Sequence, residues 1–497
     1  MTGARVLALD QGTTSTRAIL FDASGRPLAT ARRPLPQSYP GPGRVEHDPE
    51  RIRTDAVEVC REALSRAGVD ATRVAAIGIT NQRETTLLWD RETGRAVHPA
   101  IVWQDRRTAA RCEELRERGA EPLVRRKTGL LLDPYFSATK LAWLLDHVEG
   151  AREAAGRGEL AFGTVDSWLI WQLTGGRVHA TDATNASRTL LFDIHAQEWD
   201  EELLELFRIP AAVLPEVRDS SGLFGTTETD LLGPAIPIAG VAGDQQAAAF
   251  GQAAWRPGQA KCTYGTGAFL LLDTGTEAVT SRSRLLATVG RRLGGEVAYA
   301  LEGSIFSAGS AVGWLREGLG LIEEAAASEE LASRARPDSE VVLVPAFTGL
   351  GAPHWDPAAR GALLGVGRDT GPPEIARAAL EAVGFQTRDL LDAMQSDTAS
   401  RPSVLRVDGG LSRNDLAMQL VADLVEIPVE RPEVTETTAL GAAFLAGLAT
   451  GVYGSLEEIE DRWRCDRRWE PSMPAAERER RLERWRDAVR RVLTPRA

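Results

Sequence analysis

Cysteine is scarce in this chain: four in 497 residues, at positions 60, 112, 262 and 465, with no C-x-x-C pair. That spacing excludes a disulfide framework and a thiolate zinc site. The six histidines are as dispersed, without an H-E-x-x-H, and read as surface or packing residues. Lysine is scarcer still. Only Lys127, Lys140 and Lys261 occur among 58 basic residues, so arginine carries nearly all the positive charge. Any phosphate must then be recognised by arginine, backbone N–H groups and hydroxyls. No G-x-x-x-x-G-K-[ST] loop is present, which excludes P-loop chemistry.

Long apolar runs are missing too. No stretch reaches the ~20 residues of a membrane span, and the N-terminus lacks the basic and apolar regions of a signal peptide. A soluble, cytoplasmic protein without membrane insertion is expected. With a net charge of −12 and no basic stripe, no nucleic-acid partner is expected either. A hydrophobic content of 43% and a charged content of 26% are those of a globular protein, and the length suits two or three domains.

What is present is a series of short apolar runs ending at polar or glycine-rich turns and alternating with helical patterns, an α/β signature. The first, "VLALD", ends on Asp10; Gln11, Gly12 and "TTSTR" follow, and a second run ends on Asp22. Glycine and hydroxyl residues form ordinary solvated hairpins. They also form phosphate cradles, with hydroxyls, turn N–H groups and Arg17 facing a polyphosphate and Asp10 a metal ion. The hairpin alone supports both readings.

Two further runs end on chemistry. "VAAIGITNQRE" (74–84) is a buried strand that delivers Asn81, Gln82, Arg83 and Glu84. "PIAGVAGDQQAAAFGQ" (237–252) is a strand with Asp244 at its end and a helix from near Gln245. Ligands of open α/β sheets sit outside the carboxyl ends of strands, where both clusters fall. "AKCTYGTGAFLLLDTG" (260–275) echoes the first hairpin, too loosely to establish a repeat, though two such hairpins could clamp a polyphosphate.

"SVLRVDGGLSRNDLAMQLVADLVEIPV" (403–429) reads as strand, Gly-Gly turn and helix, with Ser412 as N-cap and Leu416, Leu420 and Leu424 as an apolar stripe. Gly409–Gly410 fits a tight connection or the close approach of a nucleotide. After Pro474, Leu482, Trp485, Val489 and Val492 mark an amphipathic helix (475–493). Interleaved glutamates make its arginines a solvated face. The boundary between two lobes is placed near 250, giving residues 1–250 and 251–497.

"ALDQGTTSTRAILFD", "NQRETT", "IVWQDRRT", "DPYFSATK", "AGDQQAAAFGQ", "TYGTGAF", "GLGAPHWDPAARG", "DGGLSRN" and "TTALGAAFLAG" occur in that order between residues 6 and 450. Together they resemble the FGGY carbohydrate kinases, and "NQRE" with "DPYFSATK" resembles the members that phosphorylate glycerol. The resemblance implies two actin-like, ribonuclease H-like domains flanking a deep catalytic cleft. It places Arg83, Glu84, Tyr135, Asp244 and Gln245 on the polyol, with Trp103 and Phe269 as its apolar walls. Thr13, Thr14, Ser15 and Arg17 on the first hairpin and Thr266 on the second would bind the phosphates of ATP. Gly309, Gly410 and Asn414 would bind the nucleoside end, and Asp10 would hold Mg2+ through water.

The implied reaction is ATP plus glycerol giving sn-glycerol 3-phosphate and ADP, with Asp244 as general base, in a homodimer or homotetramer. One residue departs from the pattern: Gly313 stands where those relatives commonly carry a glutamine near the adenine. The alternatives are a kinase of another polyol or ketose, an actin-like ATPase that phosphorylates no sugar, and a catalytically silent sugar sensor. The ATPase has no use for "NQRE", "DPYFSATK" and Asp244 together, and the intact Asp10, Arg17 and Asp244 argue against the sensor.

Overall fold

The computed structural model describes residues 3–494. Its first main sheet has six strands: β1 (Arg5–Gln11), β2 (Ser15–Asp22), β3 (Pro27–Pro34), β4 (Val74–Asn81), β5 (Ser221–Thr226) and β6 (Pro237–Gly243), in the order β5-β6-β4-β1-β2-β3. β1, β2 and β3 form an antiparallel meander, β4 and β6 continue parallel to β1, and β5 closes the edge antiparallel to β6. The second sheet has seven strands: β7 (Ala260–Tyr264), β8 (Ala268–Gly275), β9 (Leu286–Leu293), β10 (Glu296–Ile305), β11 (Leu405–Asp408), β12 (Val429–Pro432) and β13 (Cys465–Trp469). Their order is β9-β10-β8-β7-β11-β12-β13.

In the second sheet β7, β8 and β10 are the antiparallel part, β11 and β12 run parallel to β7, and β13 closes the edge antiparallel. Leaving out β9 and the two edge strands β5 and β13, the remaining five strands of each sheet share one order and one set of directions. The repeat that the hairpin sequences only suggest is therefore present in the topology. These are the two actin-like, ribonuclease H-like domains expected.

The first sheet is apolar on both faces. Leu7 and Leu9 of β1 enter a core with Ile52, Ala56 and Val59 of α1 (Pro49–Ala67), while Val6 and Ala8 enter another on the opposite side. α1 starts where Asp48 accepts a hydrogen bond from the Glu50 N–H, with Pro49 at the first helical position, and ends on left-handed Gly68. α2 (Asp244–Gly251) follows directly from β6.

The second sheet is two-faced. Cys262, Tyr264, Leu270, Leu301 and Val407 pack under α3 (Pro372–Thr398) and α4 (Asp415–Val425). The alternate positions Lys261, Phe269, Glu302 and Asp408 lie on the other face. α4 corrects one expectation. Its N-cap is Asn414, whose Oδ1 accepts from the Ala417 N–H at 2.8 Å; Ser412 instead donates to the Gly409 carbonyl inside the preceding turn.

α5 (Thr437–Ala449) belongs to the second half of the sequence but packs on the first sheet and on α2, in the same core as Val6 and Ala8. α6 (Ala475–Val492) is the amphipathic tail helix; Trp485 stacks on Phe385 and Leu482 and Val489 are buried. At α5, glycine permits contact between backbones. A Cβ on Gly78 would lie 2.1 Å from the Ala442 carbonyl oxygen, on Gly251 2.0 Å from that of Thr437, and on Gly441 1.8 Å from that of Ala247.

No side-chain rotation relieves a clash between backbones. Gly441→Ala is therefore expected to cost about 3 kcal/mol or more of folding stability, measured by urea unfolding. A stability equal to wild type would show that α5 and α2 can separate freely.

Candidate active site

The four residues 81–84 follow β4 into the cleft, and each side chain goes to a different partner. Asn81 exchanges hydrogen bonds with Asn185. Gln82 donates to Gln11 Oε1 and to the Gly12 carbonyl, which braces the first hairpin. Arg83 forks onto Glu302 of β10 through Nη1 (2.5 Å) and Nη2 (3.1 Å), and its Nε lies 3.1 Å from Asp244 Oδ1. Glu84 accepts from Arg188 Nε at 2.7 Å and holds a left-handed φ of 60°. Such a backbone in a non-glycine residue marks a place the surroundings over-determine.

Asp244 opens α2. Its Oδ1 accepts from the Gln245 N–H at 2.7 Å and pairs with Arg83, leaving Oδ2 without a partner among the described residues. Burial raises its carboxyl above the ordinary range, against the opposing pull of Arg83 and Lys261. Gly243 makes this approach possible, since a Cβ there would lie 2.7 Å from Cγ and Cδ of Arg83. Lys261 Nζ donates to Gln245 Oε1 at 2.5 Å, so the Gln245 amide nitrogen remains as the free end. The Arg83 guanidinium also lies over the Phe269 ring, 5.9 Å from its centroid.

Tyr135 and Trp103 complete the wall, edge to face at 5.5 Å. Burial holds the Tyr135 phenol protonated, as a neutral donor and acceptor. Its loop is pinned from below by Lys140, whose buried Nζ donates to the carbonyls of Pro134, Tyr135 and Phe136 at 3.0, 2.6 and 2.9 Å. Burial brings the Lys140 ammonium down to about 8. The structure thus gathers Arg83, Glu84, Tyr135, Asp244, Gln245, Trp103 and Phe269 into one connected set.

On the phosphate side, Gly12 N–H donates to the Ser15 carbonyl and closes the first hairpin. Trp103 Nε1 donates to Thr13 Oγ1 at 2.9 Å, which turns the Thr13 hydroxyl hydrogen outward. Thr14 is exposed, whereas Ser15 is buried. Asp10 is 2% exposed and pairs with Arg17, which also pairs with Glu436 at 2.6 Å, just before α5. Among the described residues no three His, Cys, Asp or Glu side chains cluster around a metal position. A lone carboxylate at a strand end suits Mg2+, which keeps much of its water and takes ligand oxygens.

The second hairpin exposes Thr266, whose carbonyl accepts from the N–H groups of Ala308 and Ser310. Gly309 and Asn414, both expected at the nucleoside end, also make contacts within the protein. Gly309 donates its N–H to the Gly265 carbonyl, and a Cβ there would lie 2.5 Å from that oxygen. Asn414 caps α4 through Oδ1 and donates to Ser328 through Nδ2. Gly410 and Gly313 border open space, where a Cβ would meet nothing within 4 Å.

Two polar hairpins and a buried polar cluster between paired domains match a known pattern of domains. The chain matches the model of the FGGY family of carbohydrate kinases, N-terminal domain, over residues 5–251 and that of the C-terminal domain over residues 260–450. The chain belongs to the FGGY family of carbohydrate kinases. It is 62% identical over 487 residues to the glycerol kinase of Methylobacterium nodulans, covering 97% of each chain. It is 61% identical to that of Alcanivorax borkumensis, covering 98% of each. The crystal structure of Plasmodium falciparum glycerol kinase with ADP superposes with a TM-score of 0.92 at 36% identity, covering 99% of each chain.

In this FGGY kinase the sequence motifs leave out four charged residues of the site: Arg188, Lys261, Glu302 and Glu436. Lys140 stands inside "DPYFSATK", but its role as a clamp does not show in the motif. The signal for Lys140 and Lys261 is their rarity, since two of the three lysines in the chain are buried here. Lys140→Met leaves three carbonyls without their donor and frees the Tyr135 loop. KM for the polyol is expected to rise about tenfold or more, with nucleotide affinity unchanged. Equal loss of both in steady-state kinetics would make Lys140 a general support of the fold.

Proposed function

We propose that the chain transfers the γ-phosphoryl group of ATP to a terminal hydroxyl of glycerol, giving sn-glycerol 3-phosphate and ADP. The observation that carries this reading is the contact between Asp244 and Arg83 at the start of α2, within the same connected set as Tyr135 and Trp103. A triol needs donors and acceptors around its hydroxyls and an apolar cover for its C–H edge. Arg83 donates, Glu84 and Asp244 accept, Tyr135 does either, and Trp103 and Phe269 cover the edge.

Asp244 takes the proton of the attacking hydroxyl on Oδ2, the oxygen left free among the described residues. Its raised carboxyl makes it a better base than an ordinary aspartate. Thr13, Thr14, Ser15 and Thr266 hydrogen-bond the phosphates, and Arg17 neutralises their charge. Gly410 gives the nucleoside end room. Asp10 would hold Mg2+ through water, and the cation would supply charge neutralisation at the phosphoryl oxygens. In this reading residues 1–250 bind the polyol and the first phosphate contacts, and residues 251–497 bind the nucleotide.

The reading is tested by coupled ADP release across a panel of polyols, with the product identified as sn-glycerol 3-phosphate. ADP release without glycerol would favour the ATPase alternative. Asp244→Asn is expected to lower kcat by about 10²–10⁴-fold while MgATP still binds. In the wild type, kcat/KM is expected to fall as pH drops through the raised Asp244 pKa, above the value of about 3.9 for an ordinary aspartate. Near-normal turnover in Asp244→Asn would remove it as the base.

A further inference from the structure

We propose that Glu302 and Arg188 are positioning residues of the polyol site. Glu302 fixes the Arg83 guanidinium so that its Nε edge meets Asp244, and Arg188 fixes Glu84. This rests on the kinase reading above. The two carboxylate oxygens of Glu302 take both terminal nitrogens of Arg83, and Oε1 also accepts from Arg188 Nη2 at 2.8 Å. A fork of this kind fixes a plane as well as a distance. With both terminal nitrogens on Glu302 and Nη1 also donating to Gln246 Oε1 at 3.2 Å, rotation about the Cδ–Nε bond is blocked and the Nε edge is turned to Asp244.

Glu302 is an unexpected residue at its place in the sheet. It pairs across β10 with Leu271 on one side and Leu286 on the other, both buried. Glu302 and Arg188 are each 0% exposed. Desolvating such charges costs several kcal/mol per ion, and apolar side chains often stabilise as well or better. Cohesion between the domains therefore gives no reason for a carboxylate here; alignment of a second guanidinium does. Glu302 also lies 219 residues from Arg83, on the opposite domain, so the polyol-binding arginine is aligned only while the domains are docked.

The charge of Glu302 reaches Asp244 as well. Asp244 faces Arg83 from the segment after β4, Lys261 from β7 and Glu302 from β10. Burial works to raise the Glu302 carboxyl, but Arg188 and Arg83 outweigh it and bring the group down to about 2, so it stays ionised through the working range. Neutralising it removes a negative charge near Asp244 and leaves Arg83 less shared. Both effects lower the pKa of Asp244.

The test is the pH profile of kcat/KM for glycerol in wild type, Glu302→Gln and Glu302→Asp, with KM for MgATP and thermal stability measured alongside. Glu302→Gln is expected to lower kcat/KM for glycerol about ten- to a hundredfold, leave KM for MgATP unchanged, and move the acid limb to lower pH. Glu302→Asp keeps the charge and loses the fork. It should restore the acid limb while glycerol kcat/KM stays below wild type. If Glu302→Gln fails to fold, the aspartate variant carries the test through a lowered glycerol kcat/KM with KM for MgATP unchanged. Wild-type glycerol kinetics in either variant, or loss shared equally between glycerol and MgATP with an unmoved acid limb in Glu302→Gln, overturns the proposal. A wild type that releases no ADP with glycerol overturns the kinase reading, and the proposal with it.

Discussion

The Arg83–Glu302 pair joins the two domains at the point where both meet the polyol cluster. Arg83 comes from just beyond the end of a first-sheet strand and Glu302 from the middle of a second-sheet strand, and both side chains are buried. Removing one partner of such a pair leaves a buried charge uncompensated, a loss of about 3–5 kcal/mol. The pair also determines the rest of the cleft chemistry: it turns Nε of Arg83 towards Asp244 and shares Glu302 with Arg188, which in turn holds Glu84. Binding groups that would repel or wander in isolation are fixed by one another.

The backbone supplies the rigidity that this charge cluster needs. α5 leaves the second half of the chain and lies against β4, β6 and α2 at distances only glycine allows. β4 delivers Arg83, and α2 begins with Asp244. Glu436, next to the start of α5, reaches Arg17 and through it Asp10. One helix thus supports the strand that leads to Arg83, the helix that opens with Asp244, and Arg17 of the first hairpin. Motion of the domains would act on all three together.

The α/β class, both hairpins, the ends of β4 and β6 and the tail helix are all legible in the sequence, because short apolar runs ending in glycine, hydroxyl or acidic residues have few other structural meanings. The duplicated topology is not. The two halves share the order of five strands, and order is invisible without pairing. Asn414 as helix cap was hidden because Ser412 offers the same chemistry two residues earlier. Gly309 and Asn414 also pack and cap inside the protein, a role that the motifs do not show. Glu302 and Arg188 could not be found from local pattern, since their meaning lies in partners far off in the chain.

The central claim is that Glu302 acts on the polyol through Arg83, and a double-mutant cycle measures that most directly. kcat/KM for glycerol would be compared in wild type, Arg83→Ala, Glu302→Gln and the double variant. Strong non-additivity is expected, with Glu302→Gln costing much less once Arg83 is gone than in the wild type. Additive losses, with Glu302→Gln costing as much in the Arg83→Ala background as in the wild type, would contradict it.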